Sequence, residues 1–331
     1  MISSIVRVWI GCNGRSQTDN SKLCRWVPER KRVVSVKHPN STDARRGLLE
    51  RRVEPIDLLS AQFDSLEADA VKQRLLIFAQ PRTASFTLCR YFAAAGWGLP
   101  NEYLSDLFMP QLFERYLGFA PVAGTSQEDI AKYSDQLEKR RSRDGVFSMK
   151  VMWSQMGRFR MSYGSGARQL SLASHVYLRK GDFESQIVSF AMQQNTRVYS
   201  FSARHLAEER NTVDFREEDM VRRSGEYLIK EEARWFEFFE IFGLRPAILD
   251  SDDVTLNPIE LMEQLSQLFS LGYDKQGVLR CAQLERDGRY KNQRAEKEEL
   301  LEKHLPLLRQ LAEKRSSQFV GLKAGFDLSR R

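Results

Sequence analysis

The run Leu75-Leu76-Ile77-Phe78-Ala79 contains no polar residue to place on a solvent face. A strand of this kind is buried on both sides, which is the pattern of a parallel sheet covered by helices. The residues downstream agree with that reading. Gln80 to Ala84 is a polar loop containing Pro81 and Arg82, and Ser85 to Ala95 reads as a helix with Gly96 placed to end it. The alternation then recurs. Gly145 precedes a second strand over 146–151, and 175–178 is a third, followed by Arg179-Lys180-Gly181. Asp182 suits the N-cap of a helix running to residue 193. A long helix over 217–242 is closed by Gly243 and carries Trp235, Phe236, Phe238 and Phe239 as a core-facing cluster. Residues 246–250 enter a fourth strand, and Asn257-Pro258 opens another helix. Strands alternating with helices predict an α/β fold with a parallel sheet flanked by helices.

Three further elements are expected. Residues 54–73 read as a helix leading into the first strand. Thr125-Ser126-Gln127-Glu128 is a capping-box pattern before a charged helix that ends near residue 140. A charged helix over 295–314 is expected to kink at Pro306.

Charge is distributed unevenly. Residues 1–53 carry twelve Lys or Arg against four acids, an excess of eight, whereas the whole chain of 331 residues carries +7. The remainder is therefore close to neutral, and the basicity belongs to the first 53 residues. These mix Ser, Asn, Arg and Gly without periodicity and are read as a disordered extension, with 54–331 as one domain. A nucleic-acid function inferred from net charge would rest on that extension alone. The four cysteines (Cys12, Cys24, Cys89 and Cys281) lack zinc or disulfide-framework spacing, and the four histidines show no ligand spacing, so no metal site is expected. No apolar run approaches the roughly 20 residues that span a bilayer. The start of the chain lacks the order of a signal peptide, and a cytoplasmic location is expected.

The chemistry concentrates at strand ends. In an open parallel sheet, ligands sit beyond the carboxyl ends of the strands, and a helix N-terminus there presents free N–H groups and a positive dipole end to an anion. Arg82, Thr83, Ser85 and Thr87 add charge and hydroxyl groups to such a site. The loop lacks the Gly-x-x-x-x-Gly-Lys-Ser/Thr pattern of ATP- and GTP-using loops. Arg179 and Lys180 end another strand, and the helix after Asp182 bears Ser185, Gln186 and Ser189, which makes a second anion pocket of the same design. Two such pockets suit a ligand with two separated anionic groups. The residues alone leave open an ordinary turn before a helix at 80–84 and solvated loop charges at 179–180.

Taken in order, the motifs resemble the bacterial trehalose 2-sulfotransferase family. Residues Leu76 to Ser85 resemble its opening strand and phosphosulfate loop, and Pro100-Asn101-Glu102-Tyr103 its Pro-x-Glu-aromatic segment. Residues 145–153 resemble its Gly-Val-x-x-x-Lys-x-Met-Trp strand, and Leu178 to Asp182 with Ser185, Gln186 and Ser189 its 3′-phosphate segment. Glu231-Glu232-x-x-Trp235 and Asn257-Pro258 also fit. The resemblance implies a sulfotransferase fold related to P-loop nucleotide kinases. It implies sulfuryl transfer from 3′-phosphoadenosine 5′-phosphosulfate (PAPS) to a hydroxyl of a carbohydrate or glycolipid, trehalose-like acceptors included, without a metal. It implies a homodimer and no specific nucleic-acid partner. Carried onto this chain, Arg82, Thr83, Ala84, Ser85, Phe86 and Thr87 would surround the phosphosulfate. Arg179, Ser185 and Ser189 would hold the 3′-phosphate, Glu102 would be the general base, and Lys150 would neutralise charge on the transferring group.

The chain departs from the family pattern in three places. Phe86 stands where a hydroxyl residue is usual, Ala84 replaces a glycine and therefore needs an ordinary φ or some strain, and the basic extension has no counterpart. Residues 286–294 match the family's C-terminal segment only loosely. Two other readings remain: a relative that binds the nucleotide with weak catalysis, and a polyanion-binding protein acting through residues 1–53.

Overall fold

The structure is a computed structural model that describes residues 56–65, 70–122, 124–163, 170, 172–196, 217–287 and 294–326. The basic extension lies outside the described residues, as do Cys12, Cys24, His38 and His205.

Four strands are present among the described residues: β1 (Gln73–Ala79), β2 (Val146–Met152), β3 (Ser174–Arg179) and β4 (Ala247–Asp250). They pair in parallel in the order β2-β1-β3-β4. The described α-helices are, in chain order, α1 (Ser85–Ala95), α2 (Met109–Leu117), α3 (Gln127–Arg141), α4 (Met156–Tyr163), α5 (Phe183–Thr196) and α6 (Glu217–Ile241). They continue as α7 (Ser251–Leu256), α8 (Pro258–Phe269), α9 (Lys275–Asp287), α10 (Arg294–Lys303) and α11 (Leu305–Phe326).

The uninterrupted apolar run of β1 is explained by burial on both faces. Leu75, Ile77 and Ala79 pack into one layer with residues of α1, α8 and α9, and Leu76 and Phe78 pack into the other with residues of α2, α3, α4 and α6. Each fully buried Leu, Ile or Phe side chain contributes about 1.5–3 kcal/mol. The aromatic cluster expected on α6 is buried, and Trp235 and Phe239 pack on Phe78. A third apolar cluster joins α5, α6 and α11.

This packing fixes α1 and its N-terminus. Gly96 takes φ 87° and its N–H donates to Ala93 O, while Trp97 N–H donates to Phe92 O at 2.8 Å, the paired bonds of a left-handed helix stop. At Gly277 of α9 a Cβ would lie 2.6 Å from the Ala94 carbonyl oxygen, so only glycine permits this approach of α9 to α1.

Three expectations are corrected. Residues 54–73 are not an α-helix: where described, they form two 3-10 turns, Asp57–Leu59 and Ala61–Phe63, and β1 begins at Gln73. The N-cap of α3 is Ser126, whose Oγ accepts from Asp129 N–H, and not Thr125, whose hydroxyl closes a turn with Val122. Pro306 does not kink one helix but occupies the first turn of a new one, because α10 stops at Lys303 and α11 starts at Leu305. Proline's missing N–H costs nothing in a first turn. Helices α2, α4, α7 and α9 had no expectation attached to them.

Candidate active site

The carboxyl ends of β1, β2 and β3 bring the expected residues into two adjoining clusters around the loop 80–84. That loop is held from three sides. Thr83 Oγ1 donates to Gln80 O (2.8 Å), Gln80 Nε2 donates to Leu228 O of α6 (2.9 Å), and Gln186 Nε2 of α5 donates to Pro81 O (2.8 Å). Arg82 and Ala84 both adopt left-handed backbone, with φ 63° and 55°. For residues other than glycine this conformation costs about 1–2 kcal/mol each. Of the two possibilities open for Ala84, the structure takes the strained one. Alternating backbone hands of this kind turn successive N–H groups toward one concavity, a nest for an anion. The first-turn N–H groups of α1, without partners inside the helix, directly follow this loop.

The first cluster joins β2 to the loop. Lys150, only 1% exposed, pairs its Nζ with Glu102 Oε1 (2.6 Å) and donates to Ser85 Oγ (2.9 Å). The same ammonium lies 3.3 Å from the centre of the Phe86 ring, a cation–π contact. The second carboxylate oxygen of Glu102 accepts from Gln155 Nε2 (2.8 Å). Asn101, fully buried, sets the segment: its Oδ1 accepts from Glu102 N–H (2.8 Å) and its carbonyl accepts from Lys150 N–H (3.1 Å). Glu102 is thus fixed beside Ser85 although a whole helix separates them in sequence. A carboxylate, an ammonium and a hydroxyl meet at a helix N-terminus, an arrangement suited to removing a proton from one oxygen while stabilising negative charge on another.

The second cluster lies between the loop and α5. Asp182 Oδ1 accepts from Ser185 N–H (3.0 Å) and caps α5. Ser185 Oγ, on a buried side chain, receives Lys180 Nζ (3.1 Å) and Lys297 Nζ of α10. The Arg82 side chain turns to this side, where its Nε donates to Ser189 Oγ (2.8 Å), and burial pushes its pKa below the ordinary value. Arg179 stands at the end of β3, half-buried, and among the described residues its side chain has no hydrogen-bond or ion-pair partner. The turn before α5 is braced from below. Arg315 of α11 forms a two-pronged pair with Glu232 of α6 and donates to Lys180 O (3.0 Å).

Two expected hydroxyls face elsewhere. Thr83 closes the loop on itself, as above, and Thr87 Oγ1 donates to Glu285 Oε2 (3.1 Å), which also pairs with Arg90. The segment Glu231-Glu232-x-x-Trp235 lies beneath the site. Glu232 holds Arg315, and Glu231 is buried, which raises its pKa to about 7 against the opposing effect of Tyr227 and Trp235.

A match along the sequence shows the family. The model of the Stf0 sulphotransferase family matches residues 74–293, more than half of the chain, and the match contains both clusters except Lys297 and Arg315. The chain belongs to the Stf0 sulphotransferase family. As a sulfotransferase it is an enzyme of sulfuryl transfer, on an α/β scaffold with a parallel sheet. Among solved structures, sulfotransferase STF9 from Mycobacterium avium is similar at 13% identity, with 81% of this chain and 84% of that chain covered and a TM-score of 0.45. A search of curated proteins gave no match.

Sequence reasoning did not find Gln155, Lys297 or Arg315. Gln155 adjoins the matched Met152-Trp153, which is a weak local signal, but the two cations sit in charged helices with none. Among the described residues no group of three His, Cys, Asp or Glu is arranged to hold a metal, and no helix is long and apolar enough to cross a membrane.

Proposed function

We propose that this sulfotransferase moves a sulfuryl group from PAPS to a hydroxyl of a carbohydrate or glycolipid, with Glu102 as the general base. The observation that carries the reading is the pairing of the Ser85–Lys150–Glu102 cluster with a separate cationic cluster across one strained loop. Two anion-accepting regions fit a nucleotide with a 5′-phosphosulfate and a 3′-phosphate. When bound, that co-substrate supplies an activated sulfuryl group.

The chain's own residues supply the rest. The nest at 82–84, the first turn of α1 and Ser85 orient the phosphosulfate end. Glu102 accepts the proton of the acceptor hydroxyl, whose oxygen forms the new bond to sulfur. The bridging oxygen and its electron pair leave with adenosine 3′,5′-bisphosphate, and Lys150 neutralises the charge that develops on the transferring group. Arg179, Lys180, Ser185 and Arg82 with Ser189 face the 3′-phosphate. A trehalose-like acceptor, a homodimer and a cytoplasmic location extend the proposal from the family resemblance.

The test is a thermal-shift comparison in metal-free buffer. Adenosine 3′,5′-bisphosphate near 100 times its Kd should stabilise the protein by about 2.7 kcal/mol. Arg179→Ala should lose about 1.5–3 kcal/mol of binding, the worth of a hydrogen bond to a charged group. Equal stabilisation by adenosine 5′-monophosphate would overturn the 3′-phosphate assignment.

A second reading, binding without transfer, is favoured by one contact. The Phe86 ring lies on the Lys150 ammonium and competes with any group that needs it. Nucleotide binding with no turnover of labelled PAPS across a carbohydrate panel would establish it.

We also propose that 54–331 forms the catalytic domain and that 1–53 is an accessory extension. A protein starting at Glu54 should remain soluble and bind adenosine 3′,5′-bisphosphate with unchanged Kd. Insoluble protein or lost binding would show that the extension is part of the domain.

A further inference from the structure

Two ammonium groups converge on one neutral oxygen in the second cluster. Lys180 Nζ lies 3.1 Å from Ser185 Oγ, and Lys297 Nζ contacts the same atom. Among the described residues neither lysine forms an ion pair with a carboxylate. Asp182, the nearest acid in sequence, already accepts from Ser185 N–H. The charged groups facing Lys297 are Lys180, Asp182, Arg82 and Asp252, all from parts of the fold other than its own helix. Arg82 is bonded only to the neutral Ser189 among the described residues, and Arg179 stands nearby at the end of the strand preceding Lys180. Like charges held close together repel, and an anion that joins them stabilises the group.

We propose that Lys297 is a co-substrate-binding residue that closes the second cluster over the 3′-phosphate, supplied from outside the segment matched by the family. Lys297 lies on α10, beyond residue 293 where that match ends, and 112 residues from Ser185. The proposal rests on the reading that this cluster takes a 3′-phosphate. A doubly charged phosphate monoester would accept from Lys180, Lys297 and Ser185 together and remove the repulsion that the cluster carries alone.

The same geometry couples binding to a proton. Burial, then Lys180, pushes the Lys297 pKa down to about 8 in the free protein. A phosphate beside it favours the charged form and raises that value on binding. Well below pH 8, therefore, Lys297 is protonated with or without ligand and takes up no proton on binding. Near and above pH 8 binding takes up a proton, and affinity falls as pH rises until the bound-state value is passed.

The experiment is isothermal titration of adenosine 3′,5′-bisphosphate into the full chain, at about pH 6.5 and about pH 8.5 on either side of the Lys297 transition, in buffers of different ionisation heat. The parent should take up a fraction of a proton at the higher pH and none at the lower, where the ligand's phosphates, with a second pKa of about 6, release protons instead. Lys297→Met should weaken binding about 10- to 100-fold and abolish the uptake. Lys297→Arg, charged at both pH values, should keep the affinity and lose the uptake. Adenosine 5′-monophosphate should bind the parent and Lys297→Met alike. Parent binding that survives Lys297→Met, or uptake that persists in Lys297→Arg, overturns the role of Lys297 alone. No binding by the parent overturns the co-substrate reading and this role with it.

Discussion

Glu102→Gln is expected to leave co-substrate affinity intact and to lower turnover by about 10²–10⁴-fold, the range for loss of a general base. The carboxylate stands where the proton must go. It is held by Lys150 on one oxygen and Gln155 on the other, and Lys150 in turn contacts Ser85 at the loop. No described histidine can replace it. His175 is buried in β3 against Phe78, and burial lowers its pKa to about 4. His304 is buried at the break between α10 and α11 and faces Glu217 at 3.9 Å. The amide of Glu102→Gln would keep the shape of the segment but leave the Lys150 ammonium without its counter-charge, with Ser85 and the Phe86 ring as its other partners. A thermal melt of the variant therefore accompanies the assay. The assay needs an acceptor, found first with labelled PAPS and a carbohydrate panel. Parent-like turnover in the variant would remove Glu102 from the chemistry. A parallel fall in affinity would make its role structural.

What was legible in the sequence depends on the range of the interactions involved. The run 75–79 reads as a doubly buried strand because its neighbours in the sheet make no residue of it solvent-facing. The helix expected from Ser85 to Ala95 has those ends in the structure, because its stop signal, Gly96, is local. The second cluster was legible as a set of cations near a strand end because Arg179, Lys180 and Ser185 lie close together in the chain. Glu102 was singled out only through family resemblance. Its charge alone would equally suit a solvated loop, and its proximity to Ser85 depends on Asn101 and on Lys150 at a distant strand. Gln155, Lys297 and Arg315 were missed because each reaches its partners across 53 to 135 residues of sequence. The same limit explains Thr87. A hydroxyl in the first turn of a helix reads as ligand-facing, but Glu285, 198 residues away, takes its hydrogen bond. Pro306 shows a subtler case. A proline marks a discontinuity, but it does not say whether the chain bends or restarts; here α10 stops at Lys303, His304 is buried between the helices, and α11 starts at Leu305.

Arg315→Met should cost about 3–5 kcal/mol of stability, the usual effect of removing one partner from a buried ion pair. Glu232 is 1% exposed, and Arg315 engages both of its carboxylate oxygens, at 2.5 and 2.9 Å. The remaining guanidinium nitrogen donates to Lys180 O, and the group lies 4.4 Å above the Phe183 ring. One side chain on α11 therefore ties α6 to the turn between β3 and α5, which carries Lys180 and leads into Ser185 in the first turn of α5. Methionine fills most of the space but leaves a buried carboxylate without a counter-charge. Denaturant unfolding should show a lower midpoint with an unchanged slope. The double variant Glu232→Leu/Arg315→Met removes the stranded charge and should recover most of the stability, because replacing both members of a buried pair by apolar groups is often neutral. It cannot restore the bond to Lys180 O. Adenosine 3′,5′-bisphosphate should therefore still bind more weakly to the double variant than to the parent. Full recovery of both quantities would confine Arg315 to charge compensation. An unshifted midpoint in Arg315→Met would mean that Glu232 finds water or another partner, and that the turn is held by Asp182 and α5 alone.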